Sequence, residues 1–317
     1  MALRIRESIN LRLINIAGLA VALMLLGAIV SSQSEFFLTE RNILNIGRAV
    51  AITGVIAAAT TLVLIAGELD LSIGSTLGLS GIVTASVLSS GLPLPVGLLA
   101  GLMTGVVIGL ANAGLVVGIG VNPLIATLGM LFALRGLAYV ATNGTPVVVF
   151  GLEDFAFLGQ GQFLGFPFSV LLLVGVFLAA GFLLSVTVTG GHVYAIGGSR
   201  LAAKLAGVPV ARIRTTVYVL SGASAALAGM MLASSNGSAD PIAGQGIELV
   251  VISSVILGGT ALTGGRGGLA GTALGIVFLG ALSNGMNLMG LPGYWQILVQ
   301  GVVLLAAVVI DRVVNRT

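Results

Sequence analysis

GGHVYAIGGSRLAAKLAGVPVARIR, residues 190–214, is the one polar island of any length in a 317-residue chain that otherwise reads as membrane. That contrast decides the fold class. Hydrophobic residues make up 57% of the chain and charged residues 7%, far below the roughly one quarter usual in a soluble domain. The chain therefore reads as an all-α integral membrane protein, because helices satisfy their own backbone groups inside lipid. The 48 glycines follow no collagen-like period and fit helices that pack backbone to backbone. Cysteine is absent, which excludes disulfides, thiolate chemistry and cysteine-bound metals. The net charge is only +3, and the basic residues lie at span ends rather than on one soluble face, so nucleic acid is not an expected partner.

Inside the island, Ser199 can cap the amino end of a helix over 200–206, Gly207 can take the left-handed position after it, and Pro209 can stop it. Two turns do not hold together alone in water, where roughly 12 residues are needed for marginal stability, so this helix must pack on something. Leu201, Leu205 and Val208 fall at i, i+4 and i+7 on one side, Ala202, Ala203 and Ala206 keep the girth small, and Arg200 and Lys204 stack one turn apart. A small apolar knob with a basic rim suits a socket in a partner protein. The plainer reading is a solvated loop resting on lipid headgroups.

Outward from the island, apolar runs of spanning length occupy 13–31, 46–66, 71–90, 93–117, 122–142, 168–188, 214–234, 245–263, 267–287 and 293–310. They predict about ten transmembrane helices, or eight full spans if two runs are re-entrant. The first run lacks a small-residue cleavage site and reads as a retained anchor. With ten spans, one side holds Arg4, Arg6, Arg12, Arg200, Lys204, Arg212, Arg214, Arg266, Arg312 and Arg316, the other only Arg41 and Arg48, a ratio of 10 to 2. Positive residues concentrate on the cytoplasmic side. Both termini and the island are thus expected in the cytoplasm, and 1–317 reads as a single transmembrane domain with a cytoplasmic loop at 190–214. The longest connection on the other side, 143–167, carries Glu153 and Asp154 and no basic residue; its length invites an external partner.

An internal repeat is visible. Ala100-Gly101, Gly105 and Asn112-Ala113-Gly114 in the fourth run echo Ala270-Gly271, Gly275 and Asn284-Gly285 in the ninth. In this topology the two runs cross in opposite directions, the pattern of an inverted repeat. Gly97, Gly101, Gly105 and Gly109 form a stripe at four-residue spacing whose simplest role is close helix packing.

Several polar groups fall at membrane depth. Glu68 and Asp70, in IAGELDLSIGS, each cost around 3 kcal/mol at the bilayer centre and should not face lipid. With Gly67, Ser72, Gly74 and Ser75 nearby they suggest a break between two helices lining a polar cavity. The alternative is a short turn in which they are solvated. Arg135 needs an anion or carbonyl partners if deep, and snorkels if near a helix end. Asn284 and Asn287 share a helix face and suit either hydroxyl groups in a pathway or contacts between helices. LGGTALTGGRGGL, residues 257–269, is glycine-rich, but no G-x-x-x-x-G-K-[ST] occurs and Lys204 is the sole lysine. Any use of ATP and Mg must therefore belong to another subunit. His192 has no companion histidine or cysteine for a zinc site. Tyr294 and Trp295 read as part of an aromatic belt.

These residues resemble the sugar-type permeases of bacterial ATP-binding-cassette (ABC) importers, the ribose-transport permease group. The likeness rests on IAGELDLSIGS (65–75), NPLIATLGMLFALRG (122–136), YAIGGSRLAAKLAGV (194–208), VYVLSGASAALAGMML (217–232) and GQGIELVVISSVILGGTALTGGRGG (244–268). It implies a non-enzymatic inner-membrane subunit that binds no cofactor of its own. Its partners would be a second permease subunit, a cytoplasmic ATPase and a periplasmic solute-binding protein delivering a monosaccharide. On that analogy Ser199, Arg200, Leu201, Ala202, Ala203, Lys204, Leu205 and Gly207 form the helix that couples to the ATPase. Glu68, Asp70, Ser72, Asn112, Asn122, Asn284 and Asn287 are the expected pathway residues. Two positions depart from the family pattern: Arg200 and Leu201 stand where acidic residues are common, and Glu68 stands where a small residue is usual. A different class, a proton-coupled secondary carrier using Glu68 and Asp70, is the alternative.

Overall fold

The computed structural model describes residues 2–314, with side-chain surroundings for 16–309; the charges expected at the two termini therefore fall outside the described side chains. The described chain is mainly helical. Helices α1 (Ala2–Gln33), α2 (Glu40–Ile65), α3 (Ile73–Ser89), α4 (Leu94–Ala113) and α5 (Pro123–Thr142) come first. A connecting region follows with β1 (Val147–Val148), α6 (Glu153–Gln160), β2 (Gln162–Phe163) and β3 (Phe166–Pro167). Then come α7 (Phe168–Val186), α8 (Val188–Gly198), α9 (Arg200–Leu205), α10 (Val210–Asn236), β4 (Ser238–Ala239), α11 (Ile247–Leu257), α12 (Leu269–Leu288) and α13 (Gly293–Val314). Each apolar run coincides with one of these helices. Among the described residues, seven helices are long and apolar enough to cross a membrane, while Ile73–Ser89, Ile247–Leu257 and Gly293–Val309 are shorter apolar helices.

The core is built on α2 and α10. Every residue from Gly54 to Ala66 is buried, and Val55, Ile56 and Leu64 pack with Leu77, Met231 and Val251 from α3, α10 and α11. Lipid tails are as apolar as leucine, so such contacts are held by close packing rather than by escape from water. Glycine makes the closeness possible. A Cβ on Gly105 would fall on the Gly222 carbonyl oxygen, one on Gly271 on the Gly258 carbonyl oxygen, and one on Gly275 on the Ser254 carbonyl oxygen. The glycine stripe of α4 is thus a packing surface.

The pairings repeat across the chain. Helix α3 lies against α4 and α5 as α11 lies against α12 and α13, and α4 packs on α10 as α12 packs on α2. Helices α4 and α12 run in opposite directions. Asn112, near the end of α4, reaches Ser72 just beyond α2, whereas α12 meets α2 first through Thr272 and Thr61 and ends with Asn284 against Asn42. At one end of the bundle sit α8, α9 and the segment joining α2 to α3, hereafter the α9 end. At the opposite end β1 pairs antiparallel with β4, and the long connection 143–167 carries α6, whose first turn holds Glu153 and Asp154.

Candidate functional site at the α9 end

Helix α7 stops where Thr187 turns extended, and the Thr187 side chain then accepts from the Gly190 N–H to open α8. A helix over 188–198 was not expected from sequence, because its glycines read as island rather than helix. Gly190 is needed there for space: a Cβ would fall on the carbonyls of Leu183 and Leu184. One residue later the cap expected at Ser199 is present, its hydroxyl accepting from Ala202 N–H at 3.3 Å. Gly207 closes α9 at φ +80°, a conformation open to glycine at little cost. The helix is one residue shorter than expected.

Its faces differ from a simple knob. Leu201 and Leu205 are 70% and 81% exposed, whereas Ala203 is only 4% exposed and packs inward with Leu62, Val63, Val193 and Ile213. Ala202, Lys204 and Ala206 are exposed and Val208 is half-buried. The outward surface is therefore Leu201 and Leu205 with a polar and basic surround, and Ala203 belongs to the seat.

The seat is the segment from Gly67 to Ser72. Gly67 leaves α2 at φ +71°, and the backbone then runs without helix until α3. Both carboxylates on it are buried, so they are not in a solvated turn. Glu68 accepts from Arg200 Nη2 at 2.7 Å, from Arg214 through Nε and through Nη2 at 3.1 Å, and from the Tyr218 hydroxyl at 3.0 Å. Asp70 has no cation beside it. Its Oδ1 accepts from the Ser72 N–H at 2.9 Å and the Ser72 hydroxyl at 2.6 Å, its Oδ2 from the Ser221 hydroxyl at 2.7 Å, and Asn112 Nδ2 approaches at 3.5 Å. Asn112 Nδ2 also donates to Ser72 Oγ at 2.8 Å. Its Oδ1 is buried with no hydrogen-bond partner among the described residues. Two carboxylates two residues apart thus have opposite settings, one ion-paired and one held by neutral donors.

Backbone closes on backbone at the same place. Gly265 N–H donates to the Ile65 carbonyl at 2.8 Å, and a Cβ on Gly197 would fall on that same carbonyl. Tyr194 of α8 donates its hydroxyl to the Gly267 carbonyl at 3.0 Å. The glycine-rich stretch between α11 and α12 therefore folds over the end of α2 and meets α8.

The remaining expected pathway residues lie elsewhere. Asn284 and Asn42 exchange two amide hydrogen bonds, each at 2.9 Å, and Asn287 Oδ1 accepts from Gln296 at 2.6 Å. Beside them, toward the opposite end, is a cavity of about 280 Å³ among α2, α11, α12 and α13, with Asn45, Thr53, Ser254, Ser283 and Gln300 in its wall. Its amide lining was only partly legible, since Gln300 stands singly in an apolar run and Asn45 lies just before one. Among the described residues Asn122 joins neither hydrogen-bond network: it caps α5, its side chain accepting from Leu124 N–H at 3.0 Å, while its neighbours Val121 and Ala126 pack with Tyr218. Arg135 is held by carbonyls, those of Pro241 and, at 2.8 Å, Ala243. No cluster of histidine and acidic residues able to hold a metal occurs among the described residues.

Residues 42–308 match the family described as "Branched-chain amino acid transport system / permease component". The chain is 40% identical to the ribose import permease protein RbsC of Bacillus subtilis (strain 168), over 93% of this chain and 92% of that one. It is 42% identical to RbsC of Escherichia coli (strain K12), over 92% of each. It is 39% identical to the L-arabinose ABC transporter permease protein AraH of Azospirillum brasilense, over 95% of this chain and 88% of the relative. No solved structure matches.

Proposed function

The chain belongs to this family of ABC-importer permeases, and on that premise we propose that it passes a monosaccharide across the bacterial inner membrane. It works with a second permease subunit, and a periplasmic solute-binding protein delivers the sugar. ATP and Mg are used by a cytoplasmic ATPase seated on α9. That ATPase would sit on the same side as both termini. The observation that carries the reading is α9 itself: a capped two-turn helix presenting Leu201 and Leu205, 70% and 81% exposed, beside the exposed Lys204. Large exposed apolar side chains on a polar surface mark an interface. Leu205→Glu, on the outward face, is expected to abolish co-purification of the ATPase and coupled uptake while leaving membrane insertion unchanged. A variant that still binds the ATPase and still imports would remove α9 from that role.

The opposed courses of α4 and α12, and the matched packing of α3 to α5 and α11 to α13, support reading the chain as two inverted halves spanning ten times. Under that inversion Asn112 and Asn284 are equivalent positions at opposite ends, rather than neighbours in one place. A neutral sugar needs donors and acceptors without a trapping charge, and side-chain amides offer both. The amide-lined cavity near Asn284 therefore serves as the sugar's route at the end away from α9, and the Asp70, Ser72 and Asn112 cluster as its counterpart. The carrier alternative gains no support from the site. Glu68 is neutralised by two arginines and Asp70 is enclosed by three side chains, so neither stands ready to take up a proton from solvent.

A further inference from the structure

The contact that joins α9 to its seat is an ion pair between unequal partners. Glu68 has a fully buried side chain, Arg200 is 49% exposed and Arg214 only 10%. One carboxylate thus faces two guanidinium groups, of which only Arg200 can turn to solvent. Arg214 holds both carboxylate oxygens and Tyr218 adds a third donor. When Arg200 leaves, Glu68 is still paired, and no buried charge is stranded; stranding one is what makes breaking buried pairs costly.

We propose that Arg200 and Glu68 form a releasable clasp, a pair of positioning residues that fastens the amino end of α9 to the Gly67–Ser72 segment, with Arg214 as the permanent counter-ion. The inference rests on the reading of α9 as the ATPase contact. The path is short. Arg200 is the first residue of α9, Glu68 follows Gly67, and Asp70, two residues on, organises Ser72, Ser221 and Asn112. A movement of α9 with the clasp closed displaces the segment that carries the polar cluster. With the clasp open, α9 keeps its Ala203 packing but loses its polar hold on that segment. The short helix α6 is tied differently: it holds to α10 through neutral hydrogen bonds, with Gly159 N–H donating to the Ser234 hydroxyl and the Gln160 amide to the Ser234 carbonyl.

The test uses the assembled importer in proteoliposomes, with permease, ATPase and binding protein present and sugar import measured per ATP hydrolysed. Arg200→Gln keeps a long polar side chain and removes the charge at a half-exposed site. It is expected to leave ATPase assembly unchanged and to lower import per ATP about tenfold, the scale of coupling between contacting residues. Arg200→Lys keeps the charge and is expected to restore most of it, which a purely steric role for residue 200 does not predict. Combining Arg200→Gln with Glu68→Gln should cost no more than the worse single change. Glu68→Asp replaces Glu68→Gln in this cycle if the loss of charge beside Arg214 prevents folding. Full coupling in Arg200→Gln, or losses that multiply in the double variant, overturns the clasp. Loss of ATPase assembly in Arg200→Gln also overturns it, since Arg200 then acts on the partner. Failure of the α9 reading shows separately, as normal assembly and import in Leu205→Glu.

Discussion

The two ends of the bundle hold their polar groups by different physics. At the α9 end, charge is concentrated and backbone lies close on backbone: Glu68 binds two arginines, and Gly197, Gly264 and Gly67 bring three stretches of backbone together. Near the opposite end the groups are neutral amides in pairs, Asn42 with Asn284 and Asn287 with Gln296, beside an open cavity. On the proposed function, the difference separates transmitting force from admitting a solute. A part that transmits force must not yield, and backbone packed on backbone around the permanent Arg214–Glu68 pair does not. A part that admits a polyol must exchange its hydrogen bonds at small cost, which neutral amides do, each bond being worth about 1 kcal/mol net.

The largest effect that would break this contrast is at Gly197. Gly197→Val puts a branched side chain onto the Ile65 carbonyl and the Gly265 N–H, and we expect loss of assembled protein, measured as the monodisperse fraction in detergent. The same change at Gly191, where nothing lies within 4 Å of the added Cβ, should be tolerated. Next is Glu68→Ala, which leaves Arg214 nearly buried without its anion and should cost about 3–5 kcal/mol, seen as a large drop in thermal stability. If stability is unchanged, the α9 end does not depend on its charge. Smaller again is Asn284→Leu, expected to lower stability by about 1–3 kcal/mol through the orphaned Asn42 amide. It should slow uptake further than that loss explains, while delivery-protein binding holds. Uptake unaltered in a folded Asn284→Leu variant would take the sugar's route away from the amide cavity. The smallest effect is at Asn122, whose side chain accepts only from the first turn of its own helix among the described residues: Asn122→Ala removes one helix cap for about 1 kcal/mol and should leave transport per assembled molecule unchanged.

Much of this was legible in the sequence for one reason: lipid imposes a single backbone solution, so apolar runs fall where helices lie. The capped helix at 199–207 was legible because Ser, Gly and Pro act locally. Glu68 and Arg200 stood out singly as departures from the family pattern, but nothing in the chain says that residues 132 apart in sequence touch. Helix α8 was not legible, because four of its residues are glycines, and the places of Gly190 and Gly197 depend on space left by α7 and by the end of α2. The inward facing of Ala203 was hidden for a similar reason. A two-turn pattern names a face as apolar without saying which side is the seat. The shortness of α11, 11 residues, was masked by apolar residues flanking it in the same run.

The glycine contacts around Ile65 bear on compliance. A side chain pressed by a neighbour can hop to another rotamer and absorb a displacement of an ångström or more. Peptide planes have no such reserve, because bending them costs energy steeply. Where Gly197, Gly265 and the Ile65 carbonyl touch without an intervening side chain, a shift of α8 has no soft element in which to dissipate. It reaches the end of α2 at nearly full amplitude, as through a lever without slack.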